Sequence, residues 1–165
     1  MLLAMIYSID YKFPEDEILS IFNQRFNKMP EWQPKSDFYK EVTVTGLKTE
    51  QVFDDIRLTK IVEEFFNHYN ISLDENFEIQ FYHLEPFSVL PTHIDEAPTT
   101  AAINLVLSGD TTGVIFDDKE YIYHCAVLNV LHPHGVKNQS TARILFRIVF
   151  LGLSYDQIVS KIRKV

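Results

Sequence analysis

The spacing of apolar residues divides the chain into a first part with mainly helical periodicity and a second part with strand periodicity. Apolar residues recur at three- and four-residue spacing after Pro14 and again over 57–69. This spacing predicts two amphipathic helices, and a proline is well tolerated in a first helical turn. An apolar run over 2–9 and the alternation of valines with threonines over 41–46 predict two short strands in the same part of the chain.

From Phe77 onward, short apolar runs are separated by Pro, Gly and Asp, which predicts a β-sandwich or barrel. The pair Asp117-Asp118 reads as a hairpin turn, and a final helix is expected over 154–164 with Ser154 as its N-cap. The expected fold class is mainly β with flanking helices, in one domain spanning 1–165. A support region occupies about 1–75 and a β core about 77–152. The runs that predict strands are FEIQFYHL, PFSVLPTHID, TAAINLVLSG, GVIFDD, EYIYHCAVLNVLH and ARILFRIVFLG.

Composition and charge narrow the function classes. The chain has 165 residues, of which 46% are hydrophobic, so it can bury a core of single-domain size. Its net charge of −8 argues against nucleic acid as a partner, because binding to phosphates needs a basic surface. Cys125 is the single cysteine and cannot form an intramolecular disulfide. No apolar run is long enough to span a bilayer, and the N-terminus lacks signal-peptide features. We therefore expect a cytoplasmic protein without a membrane segment.

The segment His93-Ile94-Asp95 carries the main chemical signal. Residues two apart in a strand face the same way, so an imidazole and a carboxylate would project together. A third metal ligand must come from elsewhere, and either His132 or His134 could supply it. Two histidines and one carboxylate on one face of an octahedral ion leave three open positions, as in non-haem Fe(II) oxygenases. The helical HExxH motif that usually accompanies such ligands in zinc sites is absent.

The apolar strand predicted over 142–150 carries Arg143 and Arg147 on one face. A guanidinium that faces a core cannot lose its charge, so it needs a buried anion or a route to water. One interpretation pairs these arginines with acidic residues or places that face in solvent. The other gives one of them a ligand that bears a carboxylate, held by a forked pair of hydrogen bonds.

These residues resemble the 2-oxoglutarate (2OG) and Fe(II)-dependent oxygenase superfamily, whose pattern is HxD, then a distal His, then a basic residue roughly ten positions later. The match is His93-Ile94-Asp95, His134 and Arg143. LNVLHPHGVKNQSTARILFRIVF is most similar to aspartyl/asparaginyl β-hydroxylase-like and small prolyl-hydroxylase-like members, and AAINLVLSG is similar to their next core strand. The resemblance covers about Phe77 to Gly152.

The resemblance implies a double-stranded β-helix (jelly-roll, cupin-like) core with Fe(II) bound by His93, Asp95 and His134. It favours His134 over His132 and assigns Arg143, rather than Arg147, to the distal carboxylate of 2OG. Further candidates for co-substrate contacts, each with a structural alternative, are Tyr82, Asn104, Asn138 and Arg147. Tyr123 could offer a hydroxyl to a carboxylate, and Trp32 could line a substrate entrance.

The implied function is a dioxygenase that uses 2OG and O₂ to hydroxylate a C–H bond, with release of succinate and CO₂. The substrate would be a protein side chain, a peptide or a small molecule. One alternative is a cupin-like metalloenzyme that does not use 2OG. Another is a non-catalytic jelly-roll that serves as a binding module.

Overall fold

The computed structural model describes residues 4–33 and 44–165. Over these residues the chain forms three α-helices, one 3₁₀ turn at Phe26–Lys28 and ten β-strands. The helices are α1 (Glu15–Arg25), α2 (Ile56–His68) and α3 (Tyr155–Arg163). The strands are β1 (Ile6–Ser8), β2 (Leu47–Gln51), β3 (Phe77–Leu84), β4 (Val89–His93), β5 (Ala101–Ser108), β6 (Val114–Phe116), β7 (Lys119–Tyr121), β8 (Cys125–Leu128), β9 (His134–Lys137) and β10 (Arg143–Phe150).

The strands form two antiparallel sheets. The larger sheet has the order β1-β8-β5-β10-β3-β2, and the smaller has the order β4-β9-β6-β7. β10 lies near the centre of the larger sheet, paired with β3 on one side and β5 on the other. The edge strands of this sheet, β1 and β2, come from the first 75 residues. The division into a support region and a β core stays a prediction, since both parts of the chain contribute strands to one sheet.

The two faces of the larger sheet pack against different partners. Ile79 and Phe81 of β3 and Phe146 of β10 lie in a cluster with the buried sides of all three helices. Tyr82 of β3 and Leu145 of β10 face the other way, into a second cluster completed by the smaller sheet. Period-two alternation in the central strands therefore builds one core under the helices and another between the sheets.

The helices lie where the apolar spacing predicts them. Asp55 caps α2, because its carboxylate accepts hydrogen bonds from the backbone N–H groups of Arg57 and Leu58. Ser154 caps α3 and forms a reciprocal capping box with Gln157. Within residues 4–33 and 44–165, none of the helices combines the length and apolar character that crossing a membrane requires.

The strand predictions have mixed outcomes. The hairpin turn at Asp117-Asp118 is confirmed, since both residues have positive φ (49° and 63°) and join β6 to β7. The strand expected over 2–9 is shorter, with β1 at Ile6–Ser8 and residues 1–3 outside the described range. The strand expected over 41–46 is wrong for 44–46, because β2 begins only after Gly46, and 41–43 lie outside the described residues. Gly46 has a φ of 75° and lies directly before β2, so it precedes a strand and does not end one.

The capping box predicts a measurable loss of stability. Replacing Ser154 with alanine removes the oxygen that accepts the Gln157 N–H, at 3.2 Å. We expect the free energy of unfolding to fall by about 1 kcal/mol. Denaturant unfolding of the variant and the wild type would measure this difference. Ser160, on the exposed side of the same helix, offers a control, since Ser160→Ala removes a hydroxyl without removing a cap. Equal losses in both variants would contradict the capping role.

Candidate metal and co-substrate site

Strand pairing brings His93 and His134 together. His93 ends β4, His134 begins β9, and the two are direct partners in the register of the smaller sheet. The strands approach closely beside them, since a Cβ on Gly135 would lie 2.9 Å from the carbonyl oxygen of Leu90. Glycine therefore allows the backbone separation that sets the two imidazole rings 4.5 Å apart, centroid to centroid.

Asp95 lies just past the end of β4, and not within a strand as the alternation predicts. Its backbone N–H donates to the carbonyl of Val130 at 3.0 Å, and this bond holds the segment that follows β4. Its Oδ1 lies 3.4 Å from Nε2 of His93 and 3.1 Å from Nε2 of His134. One potential ligand atom from each of the three residues thus lies within 4.8 Å of the others.

The other nitrogen of each imidazole determines the tautomer. Nδ1 of His93 lies 2.7 Å from the carbonyl oxygen of Pro91, and Nδ1 of His134 lies 2.8 Å from that of His132. A carbonyl oxygen only accepts, so each Nδ1 carries a proton. Without an ion, an Nε2 that also carries a proton can donate to the Asp95 carboxylate, whereas a bound ion would take the lone pair of a deprotonated Nε2. A hydrogen bond from the second ring nitrogen to a carbonyl is also the usual support for a metal-binding histidine.

The distances fit a first-row divalent metal ion. Bonds of about 2.1 Å from such an ion to nitrogen and oxygen place two ligands at right angles about 3.0 Å apart. The Nε2–Oδ1 separations of 3.1 and 3.4 Å are close to that value. His93, Asp95 and His134 could therefore hold a metal ion on one face and leave its other positions open.

Asp95 stays ionised despite its burial. Burial by itself would raise the pKa of this carboxyl, but hydrogen bonds with His134 and His93 and the charge of Arg147 outweigh burial. The net effect holds the pKa of Asp95 well below its ordinary value. A carboxylate that keeps its charge in a shielded site is what a metal ligand requires.

Arg143 is the largest side chain that the fold encloses completely, at 1% exposure. Its guanidinium donates to the carbonyl oxygens of Gly109, at 3.2 Å, and Thr112, and to the hydroxyl of Tyr123 at 3.0 Å. Gly109 permits this approach, because its φ is 79° and a Cβ there would lie 2.9 Å from Cα of Arg143. All three acceptors are neutral groups, so they satisfy N–H donors without balancing the charge.

A carboxylate would complete the surroundings of Arg143. Among residues 4–33 and 44–165, no Asp or Glu forms an ion pair with it. Its Nε and the hydroxyl of Tyr82 are both buried and have no hydrogen-bond partner. Both residues line a small cavity that His93, Asp95 and His134 also line. An uncompensated buried charge costs on the order of several kcal/mol, so the cavity fits an anion with a carboxylate group.

Arg147 and Asn104 also line this cavity, but Arg147 donates both to the side-chain oxygen of Asn104 and to the Asp95 carboxylate. Asn138 lies elsewhere: its amide donates to the carbonyls of Leu84 and Glu85 and accepts from Thr112, which ties three chain segments together. His132 points away from the triad, with Nε2 2.9 Å from Oδ1 of Asp117 at the surface.

A second, larger cleft adjoins this cavity and shares His93, Asp95 and Tyr82 with it. Trp32 lines this cleft. The sequence suggested that Trp32 could line a substrate entrance, and that role stays a prediction. Sequence reasoning missed Glu78 and Gln80, which also line the cleft and are hydrogen-bonded at 3.0 Å. A signal for these two residues is present in FEIQFYHL, where Glu78 and Gln80 alternate with apolar residues. Polar residues on a strand that has neighbours on both sides indicate that one face of the sheet is open to a cleft.

Comparison with known proteins supports the fold assignment. No protein-family model and no curated protein sequence matches the chain. Solved structures do match. A Trichoplax adhaerens prolyl hydroxylase in complex with a hypoxia inducible factor peptide fragment has a TM-score of 0.64 at 14% identity, over 88% of this chain and 82% of that one. The fold is a jelly-roll.

Two further prolyl hydroxylases share the jelly-roll. The Pseudomonas putida prolyl-4-hydroxylase has a TM-score of 0.57 at 15% identity, over 88% of this chain and 90% of that one. The viral collagen prolyl hydroxylase from Paramecium bursaria Chlorella virus-1, solved as a 2OG complex, has a TM-score of 0.58 at 13% identity, over 92% of this chain and 97% of that one. At such identities the likeness concerns the fold, and the chemistry has to be argued from the residues of the site.

Proposed function

We propose that this jelly-roll protein is a 2OG- and Fe(II)-dependent dioxygenase that hydroxylates a C–H bond of a protein side chain, a peptide or a small molecule. The observation that carries the proposal is one cavity lined by two complementary groups. His93, Asp95 and His134 could hold a metal ion, and Arg143 offers a buried positive charge that no Asp or Glu of residues 4–33 and 44–165 pairs with. When bound, Fe(II) and 2OG would supply the oxidising chemistry: O₂ and 2OG are consumed, CO₂ and succinate are released, and one oxygen atom becomes the substrate hydroxyl.

Some residues of the site would bind the metal and others would bind the co-substrate. The imidazoles and the Asp95 carboxylate would hold Fe(II), with Nδ1 of each ring fixed by a backbone carbonyl. Arg143 would hold the distal carboxylate of 2OG, and the Tyr82 hydroxyl, which is buried without a hydrogen-bond partner, would donate to the same ligand. Burial raises the pKa of Tyr82, although Arg143 and Arg147 oppose the effect, so this phenol keeps its proton as a donor.

The larger cleft beside the triad would receive the primary substrate. Trp32, Glu78 and Gln80 line it together with His93 and Asp95. Because His93 and Asp95 also line the cavity proposed for 2OG, the substrate and the co-substrate would both reach the metal ligands.

The test uses the purified full chain with its metal removed. We expect it to bind Fe(II) without O₂ present and then to release succinate when 2OG and O₂ are added, even without the primary substrate. Calorimetry would measure metal binding, and succinate would be quantified chemically. Metal binding without any turnover of 2OG would instead favour a cupin-like metalloenzyme that does not use it. Absence of both metal binding and turnover would favour a non-catalytic jelly-roll.

A further inference from the structure

The two carboxylate oxygens of Asp95 have different partners. Oδ1 faces the imidazole nitrogens of His93 and His134, at 3.4 and 3.1 Å. Oδ2 accepts a hydrogen bond from the guanidinium of Arg147 at 3.3 Å. Both side chains of this ion pair are 15% exposed, so the contact is far less screened than an ion pair at the surface.

Arg147 is itself fixed by a second contact. Its Nε donates to Oδ1 of Asn104 at 2.9 Å, and the two residues are direct partners across β10 and β5. The Asn104 amide cannot turn over without losing bonds, because its Nδ2 donates to the hydroxyl of Tyr123 at 3.0 Å. Arg143 donates to the same hydroxyl. A continuous hydrogen-bonded chain therefore runs from Arg143 to Asp95.

We infer that Arg147 is a positioning residue that keeps Asp95 monodentate toward the metal, with Asn104 holding Arg147 in place. The inference rests on the proposed function and assigns Arg147 to the metal ligand instead of to 2OG. Its reason is the number of open positions: a bidentate co-substrate and O₂ need three, and a bidentate aspartate would take one of them. The bond from Arg147 to Oδ2 would favour coordination of the ion by Oδ1, the oxygen that faces both imidazoles.

Two matched variants on one strand face test the inference. Arg147→Met and Arg143→Met remove the same charge four residues apart. Co(II) is the probe, followed by visible absorption of the metal-free full chain during titration. We expect Arg147→Met to raise the Kd for Co(II) by about ten- to a hundredfold and to change the absorption band, since Oδ2 is freed to coordinate. Arg143→Met is expected to keep both the Kd and the band while losing 2OG binding to the Co(II)-loaded protein.

Further variants guard against misfolding. Thermal unfolding is compared for every variant, and if Arg147→Met does not fold, Arg147→Lys and Asn104→Leu replace it. A lysine keeps the charge but cannot bridge Asn104 and Asp95 with a planar fork, and Asn104→Leu removes the support of Arg147, so both are expected to weaken Co(II) binding. Wild-type affinity and an unchanged band in the folded Arg147 and Asn104 variants would overturn the inference alone. Failure of the wild type to bind Co(II) would overturn the proposed function with it.

Discussion

Replacing His134 with alanine is expected to weaken metal binding by at least about a hundredfold and to reduce 2OG turnover accordingly. The substitution removes one of three candidate metal ligands and leaves Asp95 facing a single imidazole. The Kd for Fe(II) or Co(II) should rise this far because even residues that only support a ligand contribute about ten- to a hundredfold. Calorimetric titration of the metal-free protein would measure the change.

His132 provides the matched control, two residues away on the same segment. Its ring contacts Asp117 at the surface, an interaction worth about 0–1 kcal/mol. Its backbone carbonyl accepts the Nδ1 proton of His134, and His132→Ala retains that carbonyl. The metal Kd of His132→Ala should therefore equal that of the wild type. Comparable losses in the two variants would mean that the choice of His134 is wrong.

The second large effect is expected at Arg143. Arg143→Met removes the buried positive charge that would hold the distal carboxylate of 2OG. Truncating one partner of a buried charge pair costs about 2–5 kcal/mol, so the Kd for 2OG should rise by about thirty- to several-thousandfold. Calorimetry of 2OG binding to the Co(II)-loaded protein would measure this Kd without relying on turnover.

Two controls separate ligand binding from stability at Arg143. The side chain also bonds to the carbonyls of Gly109 and Thr112, so unfolding curves must accompany the binding data. Arg143→Lys keeps the charge but loses the fork, and an intermediate Kd is expected. Tyr123→Phe removes only the neighbouring hydroxyl and should have a smaller effect than Arg143→Met. A wild-type 2OG Kd in a folded Arg143→Met variant would contradict the assignment of this residue.

Local periodicity predicted much of the fold. The helices follow from three- and four-residue spacing, because each buries one stripe against the larger sheet. The faces of β10 follow from alternation, which places Phe146 and Ile148 under the helices. By contrast, β2 was missed, since LKTEQ at the sheet edge has no apolar alternation to reveal it.

The site was less predictable, because its partners are distant in sequence. The choice between His132 and His134 depends on the register between β4 and β9, which no local pattern determines. The environment of Asn104 likewise depends on strands β8 and β10 on either side of it. An amide among apolar residues implies a hydrogen-bonded partner but does not say which one. The contact of Arg147 with Asp95 could not be predicted from the sequence for the same reason.

The close approach of β4 and β9 at Gly135 has a consequence for how the site assembles. The separation of the two imidazoles is set by paired main chains, and each ring is held by a carbonyl of its own segment. The conformational entropy of ordering these side chains is thus lost when the chain folds and not when an ion binds. A metal ion would then bind here with little further loss of conformational entropy, and it could exchange without a rearrangement of the jelly-roll.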